Sequence, residues 1–247
     1  MKHNPFTLEF QDDAKLFFIS DTHIDLDHQR WLPQIKALRE IISEKQPAAL
    51  FILGDFIDGW IGAKHTNAKN LGCLKKILEE MSNICKIYFM PGNRDCLINA
   101  ADCKLLCMSL IPDPTVIKHQ NCNIALTHGD LWCTDDIQHL KFRKLLAHPL
   151  TTQALSLTPT VVVKMLRNLT KKLSRKHKAK QKHFQPNWRS LQTQFAEITI
   201  DQIIHGHTHQ FENTAARINL GFWPEDHSAI YYYSRKSNTH HLQNVLQ

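Results

Sequence analysis

Ile203-Ile204-His205-Gly206-His207-Thr208-His209 carries two β-branched residues into three histidines at alternate positions. If the apolar pair ends a strand, its period of two aims His205 and His207 the same way. Two imidazoles on one side of a sheet rim make half of a metal site. The other half has to come from elsewhere in the chain.

Four upstream segments have the same form. Lys15 to Ser20 reads as a buried strand and runs into Asp21-Thr22-His23. Ala48 to Leu53 runs into Gly54-Asp55-Phe56-Ile57-Asp58, and Ile84 to Met90 into Pro91-Gly92-Asn93-Arg94-Asp95. Asn123 to Thr127 runs into His128-Gly129-Asp130, and Asp201 to Ile204 leads into the histidine stretch itself. Helical spacing over 29–44 and 68–83 separates the first three strands, and a short helix is predicted over 100–110. Two final strands are predicted over 216–220 and 229–233. Strands alternating with helices predict an α/β fold, in which ligands gather beyond the carboxyl ends of the strands.

Taken together, the strand-end residues are Asp21, His23, Asp55, Asn93, His128, His205 and His207. Seven oxygen and nitrogen ligands without cysteine suit a pair of borderline divalent ions. An aspartate can bridge two ions about 3.5–4 Å apart, and such a pair clamps a phosphoryl group and activates a hydroxide. Asp55, following a glycine at a strand end, is the expected bridge. Asn93 limits the negative charge facing a phosphate, and Arg94 can neutralise charge developing on phosphoryl oxygens. Asp58 and Asp95 are expected to orient loops and ligands, and Trp60 and Trp132 to pack. His209 is a third histidine on the same period.

The net charge of +7 is unevenly spread. Residues 137–196 hold 13 Lys and Arg and no acidic residue, whereas the rest of the chain sets 17 basic residues against all 23 acidic ones. After Thr158-Pro159, the residues Val162, Leu166, Leu169 and Leu173 mark an apolar helical face, and Lys164, Arg167, Lys171, Arg175, Lys178 and Lys182 fall opposite. This segment is read as a helical insertion, 136–196, in a core made of 1–135 and 197–247. Its basic face predicts an anionic partner, a membrane surface in particular. No aromatic residue interleaves the basic ones between Val161 and Lys182, so nucleic acid is not expected. Seven cysteines without C-x-x-C spacing predict reduced thiols. No apolar stretch approaches the roughly 18 residues of a membrane span, and no signal-type apolar run opens the chain.

D-x-H, G-D-x-x-D, G-N-R-D, H-G-D and H-G-H-T-H, in this order, resemble the calcineurin-like metallophosphoesterase superfamily. Residues 54–62, 92–98, 128–136 and 217–223 further resemble the UDP-2,3-diacylglucosamine pyrophosphatase family of lipid A biosynthesis. The resemblance implies a four-layer αββα sandwich with an inserted helical lid over acyl chains. It implies two Mn²⁺ ions, one on Asp21, His23, Asp55 and His207 and the other on Asp55, Asn93, His128 and His205, and leaves His209 off the metals, in the surround or on the surface. It implies hydrolysis of UDP-2,3-diacylglucosamine to UMP and 2,3-diacylglucosamine 1-phosphate, with Asn93, Arg94, Asp136, Ser174, Lys178 and His205 touching substrate. A cytoplasmic monomer, peripheral on the inner membrane, is the corresponding expectation. The chain departs from the family pattern at Ala63, Lys64 and Gln210, none of them a predicted ligand.

Overall fold

The structure is a computed structural model that describes residues 5–134, 137–167, 169, 186–195, 198–223, 229–233 and 241–244. Two six-stranded sheets form its centre. One holds, in spatial order, β12 (His241–Asn244), β11 (Ala229–Tyr233), β2 (Leu16–Ile19), β3 (Ala49–Leu53), β4 (Lys86–Met90) and β5 (Ser109–Leu110). The other holds β1 (Thr7–Glu9), β6 (Thr115–His119), β7 (Cys122–Thr127), β8 (Gln202–His205), β10 (Arg217–Asn219) and β9 (Glu212–Asn213).

The strands that precede the polar clusters are parallel to their neighbours: β2 with β3, β3 with β4, and β7 with β8. Parallel strands buried on both faces read as continuous apolar runs, which is why Leu16-Phe17-Phe18-Ile19 and Ala49 to Leu53 lack polar alternation. Leu16 and Phe18 of β2 join Phe51, Leu126, Ile204 and Ile218 in the layer between the sheets. Phe17 and Ile19 point the other way, against Ile35 and Leu38 of α1 (Leu32–Lys45) and Leu74 and Leu78 of α2 (Ala68–Ser82). On the far face of the second sheet, Val116, Ala125 and Ile203 pack with Leu191 of a short helix, Trp188–Gln194, and with Trp132. The layers are therefore helix, sheet, sheet, helix, as expected.

Local predictions fail where tertiary contacts override them. The helix predicted over 100–110 stops as α3 (Ala100–Leu105), because Cys107 turns left-handed at φ 56° and frees Ser109–Leu110 to pair with β4. Strands β1, β6, β9 and β12 were not anticipated. The fifth predicted strand is shifted by one residue, so that His205 is its last member, in register with Thr127 and Asn219. Between β7 and β8 lie α4 (Ile137–Ala147), α5 (Pro149–Leu157), a helical stretch over 160–167, and the Trp188–Gln194 helix, here α6.

The stretch over 160–167 docks by an unexpected face. Thr160, Val163, Lys164 and Arg167, at i, i+3, i+4 and i+7, turn inward. Thr160 Oγ1 lies 3.0 Å from His65 Nδ1, Val163 is buried, and Lys164 and Arg167 both pair with Asp27 in the loop after β2. Burial alone would raise the Asp27 carboxyl, but the Arg167 hydrogen bond and the charges of Arg167 and Lys164 hold it below its ordinary value. Val162, Leu166 and Leu169, the predicted apolar face, are instead 42–48% exposed. A helical wheel separates two faces without saying which one docks. Here the core offers Asp27, and Lys164 and Arg167 of the basic face meet it; Leu173, Lys171, Arg175, Lys178 and Lys182 lie outside the described residues.

Candidate metal centre

The loops after β2, β3, β4, β7 and β8 converge at one end of the two sheets. Backbone hydrogen bonds lock them to one another: Asp21 N donates to Gly54 O, His23 N to Asp55 O, Trp60 N to Arg94 O, and Gly206 N to His128 O. Close approach requires glycine at key points. A Cβ on Gly206 would collide with the Asp21 carboxylate and Ser20, and one on Gly92 with Asp55. Asp21, His23, Asp55, His207 and His209 are all left-handed, with φ between 46° and 70°. Each such residue costs on the order of 1–3 kcal/mol, and strain of this kind collects at functional sites.

Two groups of donor atoms form, each within 4.8 Å: Asp21 with His23 and His209, and Asp21 with Asp55 and His128. His23 Nε2 lies 3.8 Å from Asp21 Oδ1 and 3.7 Å from Asp55 Oδ2. His209 Nε2 lies 3.3 Å from Asp21 Oδ1 and 3.4 Å from His23 Nε2. His128 Nε2 lies 3.6 Å from Asp55 Oδ1. Asn93 Oδ1 sits between His128 Nε2 at 3.2 Å and His207 Nδ1 at 3.1 Å. The His207 backbone N–H donates to Asp21 Oδ2 at 2.9 Å.

These residues fit a pair of divalent ions on three counts. First, His128 Nδ1 faces the Leu53 carbonyl at 2.9 Å, so the neutral, ligating form of the ring donates there and carries its lone pair on Nε2, on the side of Asp55 and Asn93. Second, Asp21 Oδ1 is fully buried yet makes no well-formed hydrogen bond, although imidazoles surround it. Third, the donor set calls for cationic charge. Burial would lower the His128 pKa, but the carboxylates of Asp55, Asp21 and Asp130 push it up to about 9. Burial would likewise raise Asp21, yet the close approach of the His209 imidazole and the charges of His128, His209 and His23 hold it well below the carboxylate range.

Among the predicted residues, Asp21, His23, Asp55, Asn93, His128 and His207 come together. His205 belongs to neither group of donor atoms. Its Nδ1 donates back to Gly206 O at 2.9 Å, its ring lies 4.5 Å from Trp188, and Nε2 is buried without a hydrogen-bond partner. Burial pushes its pKa down to about 4, so it is neutral. His209, expected outside the metal shell, takes the place by Asp21 and His23. The reason is geometric. Strand alternation ends with β8 at His205, and the left-handed turns at His207 and His209 carry the pairing one step further along the chain. Phe222, which sequence patterning did not single out, stacks on His209 at 4.3 Å and 9°.

Arg94 offers its backbone N–H to Asp55 Oδ1 at 2.7 Å. Asp95 performs the orienting role expected of it. Its buried carboxylate accepts from the N–H groups of Gly92, Asp55, Phe56 and Ile57, tying the β3 and β4 loops together. Burial and the nearby Asp55 charge push its pKa up to about 7. Asp113, also unforeseen, accepts from Thr127 Oγ1 and His128 N and so supports the third loop. Asp136, Ser174 and Lys178 lie outside the described residues.

A sandwich of two mixed sheets with carboxylates, an amide and imidazoles at the strand ends is the architecture of a metal-dependent phosphoesterase. The family profile described as calcineurin-like phosphoesterase matches residues 14–211, and the chain belongs to that family. It is a metal-dependent hydrolase. Within the family it is similar to proteins named UDP-2,3-diacylglucosamine hydrolase. The one from Neisseria meningitidis serogroup A is 30% identical over 224 residues, covering 87% of this chain and 92% of that protein. The one from Pseudomonas aeruginosa PAO1 is 30% identical over 231 residues, covering 84% and 90%. Among solved structures, an archaeal phosphodiesterase is 16% identical, covers 93% of this chain and 99% of its own, and aligns with a TM-score of 0.47.

Proposed function

We propose that this protein hydrolyses the pyrophosphate of UDP-2,3-diacylglucosamine, releasing UMP and 2,3-diacylglucosamine 1-phosphate for lipid A synthesis. The observation that carries the reading is the cluster of Asp21, His23, Asp55, Asn93, His128, His207 and His209 in a chain about 30% identical, over most of its length, to hydrolases named for that substrate. Asp21, Asp55, His23 and His209 would hold one ion, and Asp55, Asn93, His128 and His207 the other. Two Mn²⁺ ions, when bound, supply charge neutralisation on the phosphoryl oxygens and a water of lowered pKa. The chain's own residues orient that chemistry. Asn93 presents a neutral amide to the anionic substrate, and Arg94 neutralises the α-phosphoryl oxygens. Asp95 holds their loop in register with the β3 loop that carries Asp55.

The helical segment 136–196 is read as a lid over the acyl chains. Ile137, Phe142, Leu145, Leu150, Leu157, Val161 and Met165 are 45–80% exposed, which supports contact with acyl chains and a bilayer surface. Among the described residues no helix is long and apolar enough to cross a membrane. Peripheral attachment at the cytoplasmic face of the inner membrane fits that segment. Lys141 and Lys144 are exposed for an anionic surface, whereas Lys164 and Arg167 are engaged by Asp27.

The test is UMP release from UDP-2,3-diacylglucosamine after chelation and Mn²⁺ restoration. Turnover is expected to return with Mn²⁺. A metal-loaded protein that cleaves a simple aryl phosphodiester but releases no UMP would overturn the substrate and leave the family chemistry intact.

A further inference from the structure

Arg143 belongs to α4, in the segment between β7 and β8, yet its guanidinium is directed into the core and only 12% exposed. Other α4 side chains point to solvent: Ile137, Phe142 and Leu145 are 59%, 45% and 61% exposed. One arm, Nη2, donates to the Pro91 carbonyl at 2.9 Å. The other, Nη1, forms an ion pair with Asp130, whose carboxylate is fully buried.

These two anchor points are placed symmetrically about the metal centre. Pro91 is two residues before Asn93, and Asp130 is two residues after His128. Asn93 Oδ1 and His128 Nε2 face each other at 3.2 Å. The β4 and β7 loops come from different sheets, so no shared strand ladder fixes the gap between them. A guanidinium is a planar fork with fixed spacing between its donors. Gripping one loop with each arm, it fixes how far apart the loops can stand.

We propose that Arg143 is a positioning residue that braces the β4 and β7 loops and thereby sets the separation of Asn93 and His128. It touches neither substrate nor ion, and acts through the Pro91 carbonyl and the Asp130 carboxylate. The brace also connects α4 to the centre, so displacement of that helix is felt at the Asn93–His128 pair more than at the Asp21–His23–His209 group. The inference rests on the two-ion reading above.

The test is Mn²⁺ titration of the full chain by calorimetry, with the electron paramagnetic resonance signal of a spin-coupled pair as a second readout. Wild type, Arg143→Lys, Arg143→Gln and Asp130→Asn are compared. Residues that orient ligands without touching the metal typically change its affinity by about 10- to 100-fold. One of the two Mn²⁺ equivalents is expected to lose affinity on that scale in Arg143→Gln and Asp130→Asn, while the other stays as in wild type. Arg143→Lys keeps the charge but has one ammonium in place of two arms, and is expected to follow Arg143→Gln. Equal weakening of both equivalents, or no weakening of either, would overturn the brace. If Arg143→Gln fails to fold, Arg143→Lys and Asp130→Asn decide the matter alone. A wild type that never binds a second equivalent would instead remove the two-ion reading.

Discussion

Gly206→Ala puts the smallest possible perturbation, one methyl group, where the β8 loop crosses β2. The new Cβ would overlap the Asp21 carboxylate, Ser20 Oγ and Ser20 Cβ, all in buried side chains. Forcing a methyl into a well-packed site costs about 1–3 kcal/mol. Displacing Asp21 also breaks the hydrogen bond from the His207 N–H to Asp21 Oδ2 at 2.9 Å, worth about 1.5–3 kcal/mol for an ionised acceptor. A combined loss of about 2.5–6 kcal/mol, at roughly 2–4 °C per kcal/mol for a domain of this size, lowers Tm by about 5–24 °C. Activity suffers separately, since a misplacement of about 1 Å at a reacting centre costs on the order of 100-fold. Gly72→Ala is the internal control. Gly72 lies inside α2 with nothing within 4 Å of its virtual Cβ. Replacing glycine in a helix interior by alanine gains about 0.5–1 kcal/mol. Thermal unfolding followed by circular dichroism, with aryl phosphodiester hydrolysis on the same samples, checks both. Gly206→Ala with wild-type Tm and turnover would refute the packing account of the centre.

Other outcomes follow from the same geometry. His209→Ala is expected to abolish Mn²⁺-dependent turnover and His205→Ala to retain most of it; the opposite ranking in steady-state assays would restore the strand-period assignment. Mn²⁺ at about 100 times its Kd should stabilise the fold by about 2.7 kcal/mol through linkage, seen as a Tm increase that EDTA reverses. Asp27→Asn removes the partner of Lys164 and Arg167, a partly exposed contact worth at most about 1 kcal/mol in stability. Its effect should therefore appear as faster hydrogen exchange over 160–167 and a higher KM for the acylated substrate, with Tm and aryl phosphodiester turnover unchanged. Exchange rates matching wild type would mean that Val163 and Thr160 hold that helix without it.

The sequence by itself determined the class of the fold and most of the centre. Apolar runs of four to six residues without polar alternation, bounded by turn-type residues, fit strands buried on both faces, and each ended in ligand-type residues, so Asp21, His23, Asp55, Asn93 and His128 were legible from local pattern. Tertiary structure decided what depends on where a strand stops and which way a helix turns. The histidine stretch alternates through all three imidazoles, but β8 ends at His205, and the left-handed turns beyond it bring His209 to Asp21. The basic helix shows its two faces in sequence, yet only the position of Asp27, well over 100 residues earlier, turns Lys164 and Arg167 inward and leaves the apolar stripe exposed. Arg143 is one of 13 cations in a segment without acidic residues, and nothing local distinguishes it. Its partners, Pro91 and Asp130, lie in loops that meet only once both sheets have formed.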